Sequence, residues 1–446
     1  MPINYNIMRI LFIIPWIPYP LNSGGAQAFF NMVEEIRHHH NATLLLTIRN
    51  KDDEENINKL KEIWNNVEIR SYDKRKEKNK YLFAKRLKSL GIHGAEATLC
   101  RWMFSTYESL QRKIDRRLSK HKTTDIHELI RNSSALYKHT ADLSTSFVEW
   151  VSNIANEGFD VIQVEFYEYL PLIHALPHDV ETVFLHHEIR FVHNANEIEV
   201  FKNVYPYDRV LFEEEKGREI YNLSKYKHVI VLTEKDKEIL QPLLLNTNIY
   251  VSPAITEASK VPPKAFRFSP AKELVFMGNS SHIPNVEGLV WFCSEVMPLL
   301  RKNEITTKLY VTGNWDSQSR KVLQDICNDI IFTGFVDDIN AFINGHISII
   351  PIRIGSGMRM KIIDSIVSYS PIVTTTKGCE GLPIEQGKDA MIADSPQDFA
   401  NSIERLLNDD SLQESITTNA KDKALSALNA EKLLLHRLDF YEKIKR

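Results

Sequence analysis

Short apolar runs of strand length recur along the chain, separated by amphipathic segments with helical spacing. In the first half they are RILFIIP (9–15), ATLLLTI (42–48), VIQVEF (161–166), TVFLHHE (182–188) and HVIVLT (228–233). In the second they are ELVFMG (273–278), TKLYVTG (307–313), IIFTGF (330–335), HISIIPI (346–352), PIVTT (371–375) and AMIAD (390–394). Helical patterns fall between them, including 285–302, 317–327 and 357–369. A strand reads as continuously hydrophobic when helices cover both faces of its sheet, so the pattern predicts parallel, doubly wound α/β domains.

A Pro-rich stretch, SPAITEASKVPPKAFRFSPAK (252–272), interrupts the rhythm and reads as an interdomain linker. With 446 residues available, the expected division is a first domain over 1–251, the linker over 252–272, a second domain over 273–428 and a terminal helix over 429–446. Within the first domain, an insertion over about 70–157 breaks the βα alternation. Its section from Arg70 to Lys122 holds 16 basic residues against 5 acidic ones, a local charge of +11, interleaved with Phe83, Trp102 and Phe104.

The remaining composition narrows the class. Hydrophobic content of 43% with 25% charged residues fits a folded protein, and a net charge of -3 gives no overall polyanion-binding character. Cys100, Cys293, Cys327 and Cys379 have neither metal-ligand spacing nor a short-range pair, which suits reduced thiols in a cytoplasmic protein. RILFIIPWIPYP is too short to span a bilayer and carries Pro15, Pro18 and Pro20, so it reads as a strand running into a loop.

In an open parallel sheet, ligands bind beyond the carboxyl ends of the strands, which directs attention to four loops. After the strand at 346–352, Gly355 and Gly357 frame a turn that opens a helix, where unpaired N–H groups favour a phosphate. Lys361 and Asp364 lie three apart on that helix and share a face, a cation for phosphate oxygens beside a carboxylate for hydroxyls. The second loop contains Gly24 and Gly25. The third places His186, His187 and Glu188 at a strand end, with no further ligands at metal spacing. The fourth, after Gly334, presents backbone to a planar base. Each also has a plainer reading, a tight turn or a structural histidine.

Together the stretches ELVFMGNSSHIPNVEGLVWF, TGFVDDINAFI and IIPIRIGSGMRMKIIDSIVSYSPIVTTTKGCEGL resemble the retaining, nucleotide-sugar-dependent glycosyltransferases of family four, which have the GT-B fold. The first domain matches more loosely, through its Gly-Gly turn, its strand-end His-Glu and KHVIVLTEKDKEIL. The resemblance implies two facing Rossmann-like domains with a cleft between them and the donor held mainly by the second. On this basis the backbone around Ser356, Gly357 and Met358 holds the donor diphosphate with Lys361, and Asp364 takes the ribose hydroxyls. The backbone near Phe335 and Val336 meets the base, Gly25 approaches from the first domain, and His187 lies near the sugar and acceptor. Gly24, Gly278, Asn285, Gly334 and Arg353 complete the implied donor set, His187 and Lys361 carry the catalysis, and no metal or cofactor is required. Two departures stand out: the family's pair of glutamates, eight residues apart, is here Ser356 and Asp364.

The expected activity is sugar transfer from a nucleoside diphosphate sugar to an acceptor with retention of anomeric configuration. A nucleotide-sugar epimerase of the same fold and a catalytically silent nucleotide-sugar-binding protein are the alternatives. The basic segment 70–122 suggests an anionic membrane surface as partner and a lipid-linked acceptor, hence a peripheral location on the inner membrane face. Nucleic acid is not expected, because no recognition motif accompanies the charge.

Overall fold

The computed structural model describes residues 7–21, 24–76, 143–201, 205–254, 266–427 and 429–445. Two parallel sheets organise them. The first contains β1 (Arg9–Ile13), β2 (Asn41–Ile48), β3 (Glu68–Asp73), β4 (Val161–Glu165), β5 (Glu181–His186), β6 (His228–Val231) and β7 (Asn248–Val251). Its order is β3-β2-β1-β4-β5-β6-β7, with all neighbours parallel. The second contains β8 (Glu273–Met277), β9 (Leu309–Thr312), β10 (Ile330–Gly334), β11 (His346–Ile350), β12 (Ile372–Thr374) and β13 (Met391–Ile392). It repeats the scheme as β10-β9-β8-β11-β12-β13. In both sheets the chain begins centrally, winds to one edge and returns to fill the other. The order therefore reverses between β1 and β4 and between β8 and β11, which are the places where such sheets open a crevice.

The continuous apolar runs are explained by burial on both sides. Ile10, Phe12, Leu44 and Leu46 enter one core cluster, while the intervening Leu11, Ile13 and Leu45 enter another. Successive side chains of a strand point to opposite faces, so each run feeds both. The first of these clusters continues into the second domain through Phe276, Ile347 and Ile349 and includes Leu438, Phe440 and Tyr441 of the last helix. That helix, Ala430–Lys445, follows the second domain in sequence but docks on the first. Phe440 stacks on Tyr250 at 4.7 Å between ring centroids, and the Arg437 guanidinium donates to Ser252 Oγ from Nε at 3.0 Å and from Nη2 at 2.8 Å.

Two strands were not expected from the pattern, β3 and β7. Arg70, where the basic segment begins, belongs to β3 and is held by Glu157 at 2.6 Å and Glu68 at 2.7 Å. Arg75 is likewise paired with Asp73 and Glu54. The rest of that segment, and with it the expected contact with an anionic membrane surface, lies outside the described residues, as does the centre of the linker. No helix among the described residues is long and apolar enough to cross a membrane.

Candidate functional site

The loop following β11 runs against the first domain. Gly357 has φ of +76°, and a Cβ there would run into the carbonyl oxygen of His187. At Gly355, φ +111°, a Cβ would lie 2.8 Å from Glu188 Oε1 and 2.7 Å from Arg359 Nη2. Glycine is required at both, for conformation and for space. Between them Ser356 is buried, and its Oγ accepts the Ile189 N–H at 2.6 Å across the interdomain seam. The Gly355 N–H donates to Asn196 Oδ1 at 3.2 Å. Arg359 caps the loop from inside, its guanidinium donating to the carbonyls of Ser356 and Ile354.

The helix Met360–Val367 then presents Lys361 and Asp364. Lys361 Nζ donates to Asn285 Oδ1 at 2.8 Å and sits 4.3 Å from the Phe276 ring centroid. Burial, with help from Arg359, pushes its ammonium down to about 7. Burial alone pushes the Asp364 carboxyl up to about 7, and that carboxyl has no hydrogen-bond or ion-pair partner among the described residues. Asn285 in turn donates to the Asn279 carbonyl at 3.0 Å, and a Cβ on Gly278 would come within 2.6 Å of Asn285 Nδ2. Gly278, Asn285 and Lys361 thus form one unit at the crevice between β8 and β11.

From the first domain, Gly24 faces the same helix: a Cβ on it would lie 2.6 Å from Met360 Cγ. Gly25 packs near Trp16 and Phe166, each 3.7 Å from where its Cβ would be. The His187 ring stacks on Phe166 at 3.9 Å, and Phe166 meets Trp16 edge-on at 4.9 Å. Phe166 has φ of +67°, a conformation that costs a non-glycine residue about 1–3 kcal/mol and that clusters at functional sites. His187 Nε2 is 2.9 Å from Glu165 Oε2.

Charged groups line the seam itself. His193 lies between Glu188, 2.8 Å from Nδ1, and Glu197, 2.9 Å from Nε2. Burial opposes its protonation, but the two carboxylates outweigh burial and hold it up at about 9. Burial also opposes the charge on Glu188; His193, with His282 and Arg190, draws it well below the usual carboxylate range. Burial pushes the nearby His282 down to about 4. Burial raises Asp236 against hydrogen bonding from Thr233 and the Gly357 backbone. Two first-domain carboxylates, Glu188 and Asp236, therefore face the glycine loop.

The other expected residues stand apart. Gly334, with φ +76°, ends β10, and Phe335, exposed, and Val336 follow it, three strands from β11 and so about 14 Å across the sheet. Arg353 is engaged by Glu287 and lies over Trp291 at 5.1 Å, a place in the packing of the second domain. Sequence reasoning missed Glu165, Gln163, Phe166 and Trp16. A signal existed: two polar side chains inside the fully buried run VIQVE must find partners.

Residues 271–409, within the second domain, match the family model for Glycosyl transferases group 1. A relative described as an uncharacterized 44.6 kDa protein in the cps region of Klebsiella pneumoniae is 26% identical over 138 residues, 29% of this chain and 36% of that protein. The match thus spans about a third of the relative's length. Among solved structures, S. aureus TarM in a complex containing UDP aligns over 98% of this chain and 100% of its own at 12% identity, TM-score 0.64. Sucrose-phosphate synthase from Thermosynechococcus elongatus covers 98% and 99% at 11% identity, TM-score 0.61. Anabaena HepE in complex with UDP and glucose covers 98% and 100% at 11% identity, TM-score 0.59. The fold is GT-B: two Rossmann-like domains joined across a seam.

Proposed function

We propose that the chain is a retaining glycosyltransferase of family four that takes its sugar from a nucleoside diphosphate sugar, with the donor on the second domain. The observation that carries this reading is the pair Lys361 and Asp364. A desolvated lysine and an unpartnered desolvated carboxyl share one helix face at the sheet crossover, and a nucleoside diphosphate supplies what each lacks, phosphate oxygens for one and ribose hydroxyls for the other. The exposed end of β10 offers the base its place, as an extended nucleotide would need. UDP in the TarM and HepE complexes supports testing uridine donors first.

In transfer with retention, charge develops on the departing diphosphate as the anomeric carbon takes on oxocarbenium character. Lys361 and the backbone N–H groups of residues 356–358 meet that charge without a metal or cofactor, and His187 acts beside the sugar from the first domain. The contact of Gly355 with Glu188 means that the seam must part, or Glu188 swing aside, for the diphosphate to enter. Closure of the seam over the bound donor excludes water.

The test is turnover of a panel of nucleoside diphosphate sugars, measured as slow hydrolysis without acceptor and as transfer to supplied glycans. One donor is expected to turn over, and Lys361→Ala is expected to cost on the order of 2–4 kcal/mol, mainly in kcat. Undiminished kcat in Lys361→Ala removes the assignment, and binding without turnover of any donor favours a silent protein.

A further inference from the structure

Behind His187 a chain of buried polar groups leads to the far end of the polypeptide. Glu165 Oε2 faces His187 Nε2 at 2.9 Å, and its other oxygen, Oε1, accepts from Gln163 Nε2 at 2.6 Å. Gln163 Oε1 accepts from the Tyr441 hydroxyl at 2.6 Å. Gln163, Glu165 and Tyr441 are each at most 1% exposed, so no solvent competes for these bonds. Tyr441 belongs to the last helix, and Arg437 of the same helix lines a small cavity together with Glu165 and His187.

The direction of each bond is set by the next. An amide has one donor end and one acceptor end; Glu165, which can only accept, takes the donor end of Gln163, and this leaves the amide oxygen to accept from the Tyr441 hydroxyl. Burial pushes the Tyr441 phenol up to about 12, so its proton is present for that bond. Were the amide reversed, its oxygen would face Glu165 Oε1, acceptor against acceptor. Held as it is, Gln163 orients the carboxylate, and the carboxylate requires the proton of His187 on Nε2.

Resting on the function proposed above, we infer that Tyr441 and Gln163 are positioning residues for His187: docking of the C-terminal helix fixes the tautomer and orientation of the first-domain histidine. The chain thereby makes the state of the active site depend on an element that the sequence places after the donor domain.

The experiment uses the full chain labelled with 15N-histidine, His187 being assigned with His187→Gln. In the unsubstituted protein His187 is expected as the Nε2–H tautomer. Tyr441→Phe removes only a hydroxyl and frees the Gln163 amide to move, and Gln163→Met removes the amide; each leaves Glu165 without the bond that holds its rotamer, so the carboxylate can turn from His187 Nε2 and both are expected to give a mixed tautomer signal. Tyr250→Phe is the control, because Tyr250 also bonds the last helix, at the His436 carbonyl, without touching the chain to His187. It is expected to affect thermal unfolding as Tyr441→Phe does while leaving the His187 signal unchanged. With UDP-glucose and UDP-N-acetylglucosamine as probe donors, Tyr441→Phe is expected to lower kcat on the order of 10-fold to 100-fold at unchanged KM, whereas Tyr250→Phe is not. An unchanged tautomer signal in Tyr441→Phe overturns the inference, and so does a changed signal with unchanged kcat. Inactivity of the unsubstituted chain toward both donors counts against the proposed function instead, and the tautomer signals then decide the inference alone.

Discussion

Lys361 and Asp364 are both poised near pH 7, from opposite sides, and this gives donor binding a pH dependence of definite shape. A diphosphate prefers the charged lysine, so affinity falls as pH rises above about 7; ribose hydroxyls prefer the ionised carboxylate, so affinity falls below it. A bell centred near pH 7 is expected in calorimetric titrations of nucleoside diphosphate. Lys361→Met should abolish the alkaline limb and Asp364→Asn the acid limb; a flat profile in the unsubstituted protein contradicts both roles. His193 makes a separate prediction about stability. Its imidazolium is raised from 6.5 to about 9, so its contribution is complete below pH 6.5 and is lost as pH climbs through 9. Thermal unfolding across this window should show a loss on the order of 3 kcal/mol that is reduced in His193→Gln, where the charge is absent. Gly355, Gly357, Lys361 and Asp364 drew attention in the sequence through a glycine-framed turn followed by a cation and a carboxylate on one helix face, and the structure places them on one loop and helix. Glu165 and Gln163 drew none, since a buried strand conceals which of its polar groups are paired with what.

At the scale of elements, the loop after β11 is shaped by the domain opposite. Gly357 and Gly387 have nearly the same backbone conformation, φ +76° and +72°, but a Cβ at Gly387 meets nothing within 4 Å. Gly387→Ala should therefore show the backbone cost alone, about 1 kcal/mol, whereas Gly357→Ala must also push the His187 carbonyl away. Small-angle scattering should show the domains of Gly357→Ala further apart than those of Gly387→Ala; equal radii of gyration would mean the loop does not hold the seam. The central strands were legible because both faces are buried and their residues run unbroken in Ile, Leu and Val. β3, EIRSYD, and β7, NIYV, form the two edges of the first sheet and are only partly buried, so they lack that signature. Ser356 was read through its backbone; that its hydroxyl bridges to Ile189 depends on a domain contact with no trace in local spacing.

For the whole molecule, two sheets of the same strand order put their crossover crevices on a shared seam, and the last helix returns to lock onto the first domain. The two-domain plan was legible from a repeated βα rhythm broken once by a Pro-rich stretch. Which residues of the two halves would meet was not, because chain order does not encode the rotation of one domain on another. The pairing of Gly24 with Met360, Gly357 with His187 and Tyr441 with Gln163 belongs to that level. The central claim is that a nucleoside diphosphate binds at Lys361 and the glycine loop of the second domain. Thermal unfolding of the full chain against a panel of nucleoside diphosphates tests it most directly, since a ligand at 100 times its Kd adds about 2.7 kcal/mol of stability. Stabilisation by one nucleotide, abolished in Lys361→Ala and preserved in His187→Ala, is the expected result. No stabilisation by any of them, or stabilisation undiminished in Lys361→Ala, would contradict it.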